Sequence, residues 1–226
     1  MGLKYKWKIY IVSIKEDIDR RSHVENVTIK AKSRGFDVEI IDAIYWKTQN
    51  VFDKLNEHDI TFIHNGWLSQ SQLACFLSHR LAWLKMLEVL NSSSETKCIV
   101  LEDDVGLLEF ETFLSMETDI CKIEPYDGII MWKHPEKIPN KLDFICDNFV
   151  SYYFQWGLVA YHISSKQLCE EMINIKCIDQ PIDDLLYSKI FPKYNVVFTA
   201  NDPFLMGYLE GNQVKHFKSN ITGQIT

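Results

Sequence analysis

The chain has no Cys-x-x-Cys pair, no long apolar run, few arginines and no surplus of positive charge, and each absence excludes a class of protein. The six cysteines, Cys75, Cys98, Cys121, Cys146, Cys169 and Cys177, are scattered. That pattern indicates neither a disulfide framework nor a paired-cysteine zinc site, and they read as reduced, mostly buried thiols. The even spacing from Cys75 to Cys121 has no similarity in its flanks and marks no repeat. The apolar stretch Ile9 to Ile14, interrupted by Ser13, is too short for a secretory signal or a membrane span. Lys6 stands where a myristoylation signal wants Ser or Thr. A soluble cytoplasmic protein with no transmembrane segment is expected, and the sequons at Asn26, Asn91 and Asn220 carry no weight there. With 31 acidic against 24 basic residues and a net charge of -7, the chain lacks the basic footprint of a nucleic-acid partner. A single nucleotide diphosphate is still compatible, because a metal and a few placed cations offset local charge.

No stretch rich in Gly, Pro or Ser divides the chain, so residues 1–226 are expected to form one domain, with 46% hydrophobic residues to fill its core. Lys8 to Ile14 reads as a strand, Lys15 to Lys32 as a loop leading into a helix that ends at Gly35, and Phe36 to Ile44 as a second strand. Strand, helix, strand is the opening of a parallel sheet, and the fold class is α/β, a mostly parallel central sheet flanked by helices. Leu73, Phe76, Leu77, Leu81, Leu84 and Leu87 recur at helical spacing over Gln72 to Leu90, with Ser69 as N-cap and Gln72 as its capping-box partner. Cys98 to Leu101, Tyr126 to Trp132, Val159 to Ile163 and Val196 to Thr199 read as further strands, the last closing the sheet. Pro135 and Pro139 mark an irregular loop, a helix follows from Ser164 or Ser165 to Met172, and a short one lies near Asp183 to Lys189.

The most informative run is Ile99 to Val105, which drives an apolar strand into Glu102, Asp103 and Asp104 and then turns apolar again. Period-two alternation puts Glu102 and Asp104 on one face and Asp103 on the other. Crowded carboxylates repel one another, and a hard divalent cation bridging to a diphosphate relieves that. A solvated turn after an edge strand would account for the run without a ligand. Arg20 and Arg21, two of only four arginines, follow the first strand where an α/β sheet presents its loops to a ligand. Either could meet a base or diphosphate, or face solvent. Asp42, ending the second strand, is placed for a ribose or base contact.

Four segments, taken in order, resemble glycosyltransferase family 25, which includes bacterial lipooligosaccharide and collagen galactosyltransferases. They are Ile11-Val12-Ser13-Ile14 with Arg20-Arg21, Leu68 to His79, Glu102-Asp103-Asp104, and Gly157 to Ser164 with Pro181-Ile182-Asp183. The resemblance runs over about residues 8–225. It implies a GT-A-type fold, a UDP-sugar donor (usually UDP-galactose), a saccharide or hydroxylated acceptor, inversion at the anomeric carbon and a divalent metal, Mn2+ before Mg2+. On that resemblance Asp104 is the direct metal ligand, Glu102 a donor contact or second ligand, and Asp103 a partner of a ribose or sugar hydroxyl. Ser13, Ser78 and His79 belong to the donor side, although a lone His on a helix is also an ordinary core residue. His216 completes the metal shell or lies in an exposed strand. Trp156 and Gly157 form the acceptor-side wall, or Trp156 packs in the core. Asp183 is the base that takes the acceptor proton, or a helix-initiating carboxylate only. Ser71 departs from the family's usual Gly, which bears on the shape of the donor-side loop. Two other readings compete: a catalytically inactive glycan- or partner-binding relative, and a metal-dependent phosphotransferase.

Overall fold

The computed structural model describes residues 2–63, 68–132, 138–139, 141–155, 157–206, 208–210 and 213–215. The chain opens with β1 (Lys6–Ser13), α1 (Ile18–Ser33) and β2 (Asp37–Asp42). Asp17 caps α1 by accepting from Arg20 N at 3.2 Å, and Gly35 takes φ +93° to turn the chain into β2. Then come α2 (Val51–Glu57), β3 (Thr61–Phe62), α3 (Gln70–Ser92) and β4 (Thr96–Glu102). The expected capping box of Ser69 and Gln72 starts α3. β5 (Val105–Leu108), α4 (Phe110–Asp119) and β6 (Gly128–Ile130) follow. Next are β7 (Phe144–Cys146), β8 (Phe149–Val150), β9 (Ala160–Ile163) and α5 (Lys166–Ile173). Beyond β10 (Cys177–Ile178), α6 (Ile182–Leu185) continues as a π turn to Ile190. The described chain ends with β11 (Val196–Thr199), β12 (Phe204–Met206), β13 (Tyr208–Glu210) and β14 (Gln213–Lys215).

The central sheet has the order β2-β1-β4-β9-β6-β11-β8-β7. β2, β1 and β4 are mutually parallel, β9 runs antiparallel between β4 and β6, β11 is parallel to β6, and β8 opposes both β11 and β7. Only β9 and β8 therefore run against the common direction. Strands buried on both faces read as continuous apolar runs. In β1, Trp7, Ile9 and Ile11 join the core layer that holds Val24 and Val27 of α1 and Phe113 and Met116 of α4. Tyr10 and Val12 face the other layer, with Leu73, Phe76 and Leu77 of α3 and Leu168 of α5. Glu117 of α4 is buried and accepts from Lys4 N, Tyr5 N and Trp7 Nε1 at 2.8, 3.0 and 2.6 Å, which ties α4 to the start of β1.

Three expectations need correcting. Val196 to Thr199 does not close the sheet, because the β7–β8 hairpin adds beyond it. Burial of the thiols is less general than expected: Cys98 and Cys169 are buried, Cys75 and Cys146 are half-buried, and Cys121 and Cys177 are exposed. The acidic run does not continue β4, which ends at Glu102. Asp103 and Asp104 form a turn into β5. Among the described residues no helix is long and apolar enough to cross a membrane.

Candidate active site

The chain goes from β1 to β2 on one side, then returns through α3 to β4 on the other side of β1. Such a reversal opens a crevice beyond the C-terminal ends of the two strands, where open α/β sheets bind ligands. A cavity of about 110 Å³ lies there. Val12 and Ile14 line it from the end of β1, Arg20 from α1, Ala43, Ile44 and Trp46 from beyond β2, Ser71, Cys75, Ser78 and His79 from α3, Glu102 from the end of β4, and Asp103 and Asp104 from the turn that follows. A larger hollow of about 520 Å³, lined by Lys6, Lys8, Arg34 and Asp37 among others, lies at the opposite ends of these strands and gathers no comparable chemistry.

The turn at Asp103 brings all three carboxylates to one cavity, which alternation along a strand would have prevented. Arg20 answers them. Its Nη1 donates to Asp103 Oδ1 and lies 3.9 Å from Asp104 Oδ2, with both side chains of the Arg20–Asp103 pair about 9% exposed. Asp103 Oδ2 also accepts from Ile14 N at 3.4 Å. Burial raises the Asp103 carboxyl against the pull of Arg20. Asp104 is pushed up to about 7, first by burial and then by the charge of Glu102, with Arg20 opposing. Its Oδ1 is buried with no hydrogen-bond partner among the described residues. Two carboxylates thus remain beyond the one that Arg20 engages, and an orphaned oxygen lies among them. That donor set of hard oxygens fits a divalent cation such as Mn2+ or Mg2+.

Other expected residues are used by the fold itself. Ser78 Oγ donates to Ala74 O at 2.6 Å and accepts from Ile44 N at 2.9 Å, so it fastens the loop beyond β2 to α3. Ser13, between the cavity-lining Val12 and Ile14, is buried and its hydroxyl has no hydrogen-bond partner among the described residues. Arg21 pairs with the exposed Asp42 across 3.0 Å, outside the residues that line the cavity. His79 is buried, its Nδ1 2.9 Å from Tyr161 Oη and its Nε2 3.2 Å from Glu102 Oε1. Trp46 and Cys75 line the cavity without having been singled out by sequence. Trp46 is an aromatic wall whose Nε1 is buried without a partner among the described residues. Burial pushes the Cys75 thiol well up, and Glu102, Asp183, Asp103 and Asp104 add to it, so Asp183 shares the electrostatic surroundings of the cavity.

Asp183, at the start of α6, accepts from Gly157 N at 3.0 Å, and Tyr187 Oη donates to Gly157 O at 3.3 Å. Gly157 has φ +83°, and a Cβ there would lie 2.8 Å from Cζ3 of the buried Trp132. Backbone strain and the clash together predict that Gly157→Ala lowers stability by about 1–3 kcal/mol. A fall in the denaturation midpoint at unchanged m-value checks this. Trp156 and His216 lie outside the described residues.

No curated protein sequence matches the chain. A solved structure, of a glycosyltransferase involved in the glycosylation of the major capsid of PBCV-1, is similar at 12% identity over 88% of this chain and 82% of that one, with a TM-score of 0.43. The family model described as glycosyltransferase family 25 (LPS biosynthesis protein) matches residues 6–152, which takes in Arg20, the α3 segment and the acidic turn but stops short of Gly157 and Asp183. With well over half of its length matched, the chain belongs to glycosyltransferase family 25.

Proposed function

We propose that the cavity at the ends of β1 and β4 is the donor site of a metal-dependent, inverting hexosyltransferase that takes galactose from UDP-galactose. The acceptor is a saccharide, with the oligosaccharide of a lipopolysaccharide favoured by the family's description. The observation that supports this most is the buried, unpartnered Asp104 Oδ1 beside Glu102 and the Arg20-bound Asp103. Asp104 and Glu102 would hold Mn2+. His216, the third ligand suggested by sequence, stays part of this proposal. Bound there, the metal would neutralise charge developing on the departing diphosphate.

The chain's own residues have separate tasks. Arg20 holds Asp103 in place, leaving that carboxylate to a ribose or sugar hydroxyl. Trp46 offers an apolar face and an unused N–H to the nucleotide. Asp183 presents a carboxylate whose Oδ2 is steadied by Gly157 N, and it takes the acceptor hydroxyl proton. Gly157 and its neighbour Trp156 would flank the acceptor.

The test is UDP release from a panel of UDP-sugars with Mn2+, with Mg2+ and with EDTA, the anomeric outcome being read by NMR. UDP-galactose consumed only with metal, and slowed about 10²-fold or more in Asp183→Asn with donor binding retained, is the expected result. Donor binding without release from any sugar would identify an inactive relative. Phosphate release from phosphomonoesters would identify a phosphotransferase.

A further inference from the structure

Beneath the cavity runs a chain of hydrogen bonds between residues of α3, β4 and β9. Trp83 Nε1 lies 2.6 Å from Tyr161 Oη, Tyr161 Oη lies 2.9 Å from His79 Nδ1, and His79 Nε2 lies 3.2 Å from Glu102 Oε1. Trp83, His79 and Tyr161 are each at most 1% exposed, so their polar groups are closed off from bulk solvent. The direction of every link then follows from the inventory of donors and acceptors. An indole N–H only donates, so Tyr161 Oη accepts from Trp83. The phenol keeps its own proton, since burial pushes the Tyr161 hydroxyl well above its usual range. That proton needs an acceptor, and among the described residues His79 Nδ1 is the one in reach. The ring proton is therefore on Nε2, which donates to the carboxylate of Glu102.

The alternatives fail on the same count. With the proton on Nδ1, two lone pairs would face each other across the 3.2 Å between Nε2 and Glu102 Oε1. With both nitrogens protonated, the phenol proton would be buried with no acceptor. We propose that Tyr161 and Trp83 are positioning residues that hold His79 as its Nε2–H tautomer, so that one oxygen of Glu102 is fixed and the other is left for the donor site.

Cys75 Sγ, a His79 nitrogen and a Glu102 oxygen lie within 4.8 Å of one another, a spacing that would suit a thiolate-bound metal. A metal on Nε2 would drive the ring proton to Nδ1, where it would meet the phenol proton of Tyr161. The trio is an orienting device and not a metal centre. Its consequence for turnover rests on Glu102 belonging to the donor site, but the tautomer itself does not.

The experiment is long-range 1H–15N correlation on 15N-histidine-labelled, metal-free protein, with His79 assigned by loss of its signals in His79→Gln. A single Nε2–H tautomer is expected in the parent. In Tyr161→Phe, which keeps the ring in its packing, Nδ1 loses the phenol donor while Nε2 keeps Glu102, so the Nδ1 resonance is expected to move to that of an unbonded ring nitrogen and Mn2+ binding to weaken about 10-fold or more. Trp83→Phe, removing only the indole donor and checked for folding by circular dichroism, is expected to shift the same signals less. An Nδ1–H tautomer or an imidazolium in the parent would overturn the proposal, as would an Nδ1 resonance unmoved in Tyr161→Phe. A thiolate-to-cobalt charge-transfer band on adding Co2+ would overturn it too, by showing that Cys75 and His79 take metal. Absence of Mn2+ binding and of UDP release from the parent would instead count against the donor-site reading, with the tautomer still deciding the relay.

Discussion

Asp104→Asn is expected to release UDP roughly 10³-fold more slowly than the parent while folding into a more stable metal-free protein, a loss on the scale of one group that stabilises transition-state charge. Both halves come from one cause. Asp104 is driven up to about 7 by burial and by Glu102, so the folded protein favours its protonated form. The stabilisation from that raised value is complete below the ordinary carboxylate range, near 3.8, and is lost as pH rises through about 7. Above that, an ionised Asp104 costs the metal-free fold up to about 4 kcal/mol. An amide of the same shape does not ionise. In EDTA, the melting temperature of the parent should therefore fall between pH 4 and pH 8 relative to the variant. Mn2+ should restore the parent at pH 8 and leave Asp104→Asn unmoved. Parallel pH profiles, or equal rescue of both proteins by Mn2+, would show that Asp104 is not the ligand.

Arg20→Met is expected to be the most damaging single change to stability. The guanidinium is buried, and besides Asp103 and Asp104 it reaches Asp17 Oδ2 from Nε at 3.8 Å. Removing it leaves Asp103 buried with a hydrogen bond from Ile14 N and takes from Asp104 the cation 3.9 Å away. Breaking a buried pair from one side typically costs about 3–5 kcal/mol, which for a chain of this size lowers the melting temperature by roughly 6–20 °C. Arg20→Lys should recover part of the loss, since an ammonium keeps the charge without the fork that spans several carboxylates. Asp103→Asn in the Arg20→Met background should also recover part of it, because the uncompensated charge is the main penalty. If Arg20→Met melts within 2 °C of the parent, or the double variant is no better than the single, Arg20 is not the counter-ion that holds the site together.

Local features were legible without coordinates. The capping box at Ser69 and Gln72, the turn at Gly35 and the two-faced apolar runs of β1 and β4 each depend on residues within a few positions, which is the range over which side chains and backbone interact directly. The clustering of Glu102, Asp103 and Asp104 is also visible, but their directions are not. Period two assumed a strand through Asp104, whereas the backbone turns after Glu102 and points all three into one cavity. α4 was not singled out, and its Glu117 serves the start of β1 at a separation of 110 residues or more.

The sequence by itself determined the α/β order of elements, the placing of the carboxylates at a strand end and the family. Only the tertiary structure decided which groups meet: Arg20 with Asp103 across 83 residues, and His79 with Tyr161 across 82. Those meetings depend on the return of the chain across β1 and on the insertion of β9 beside β4, which are properties of strand order. Hydrophobic periodicity records which face of a strand is buried and carries no information on which strand lies beside it.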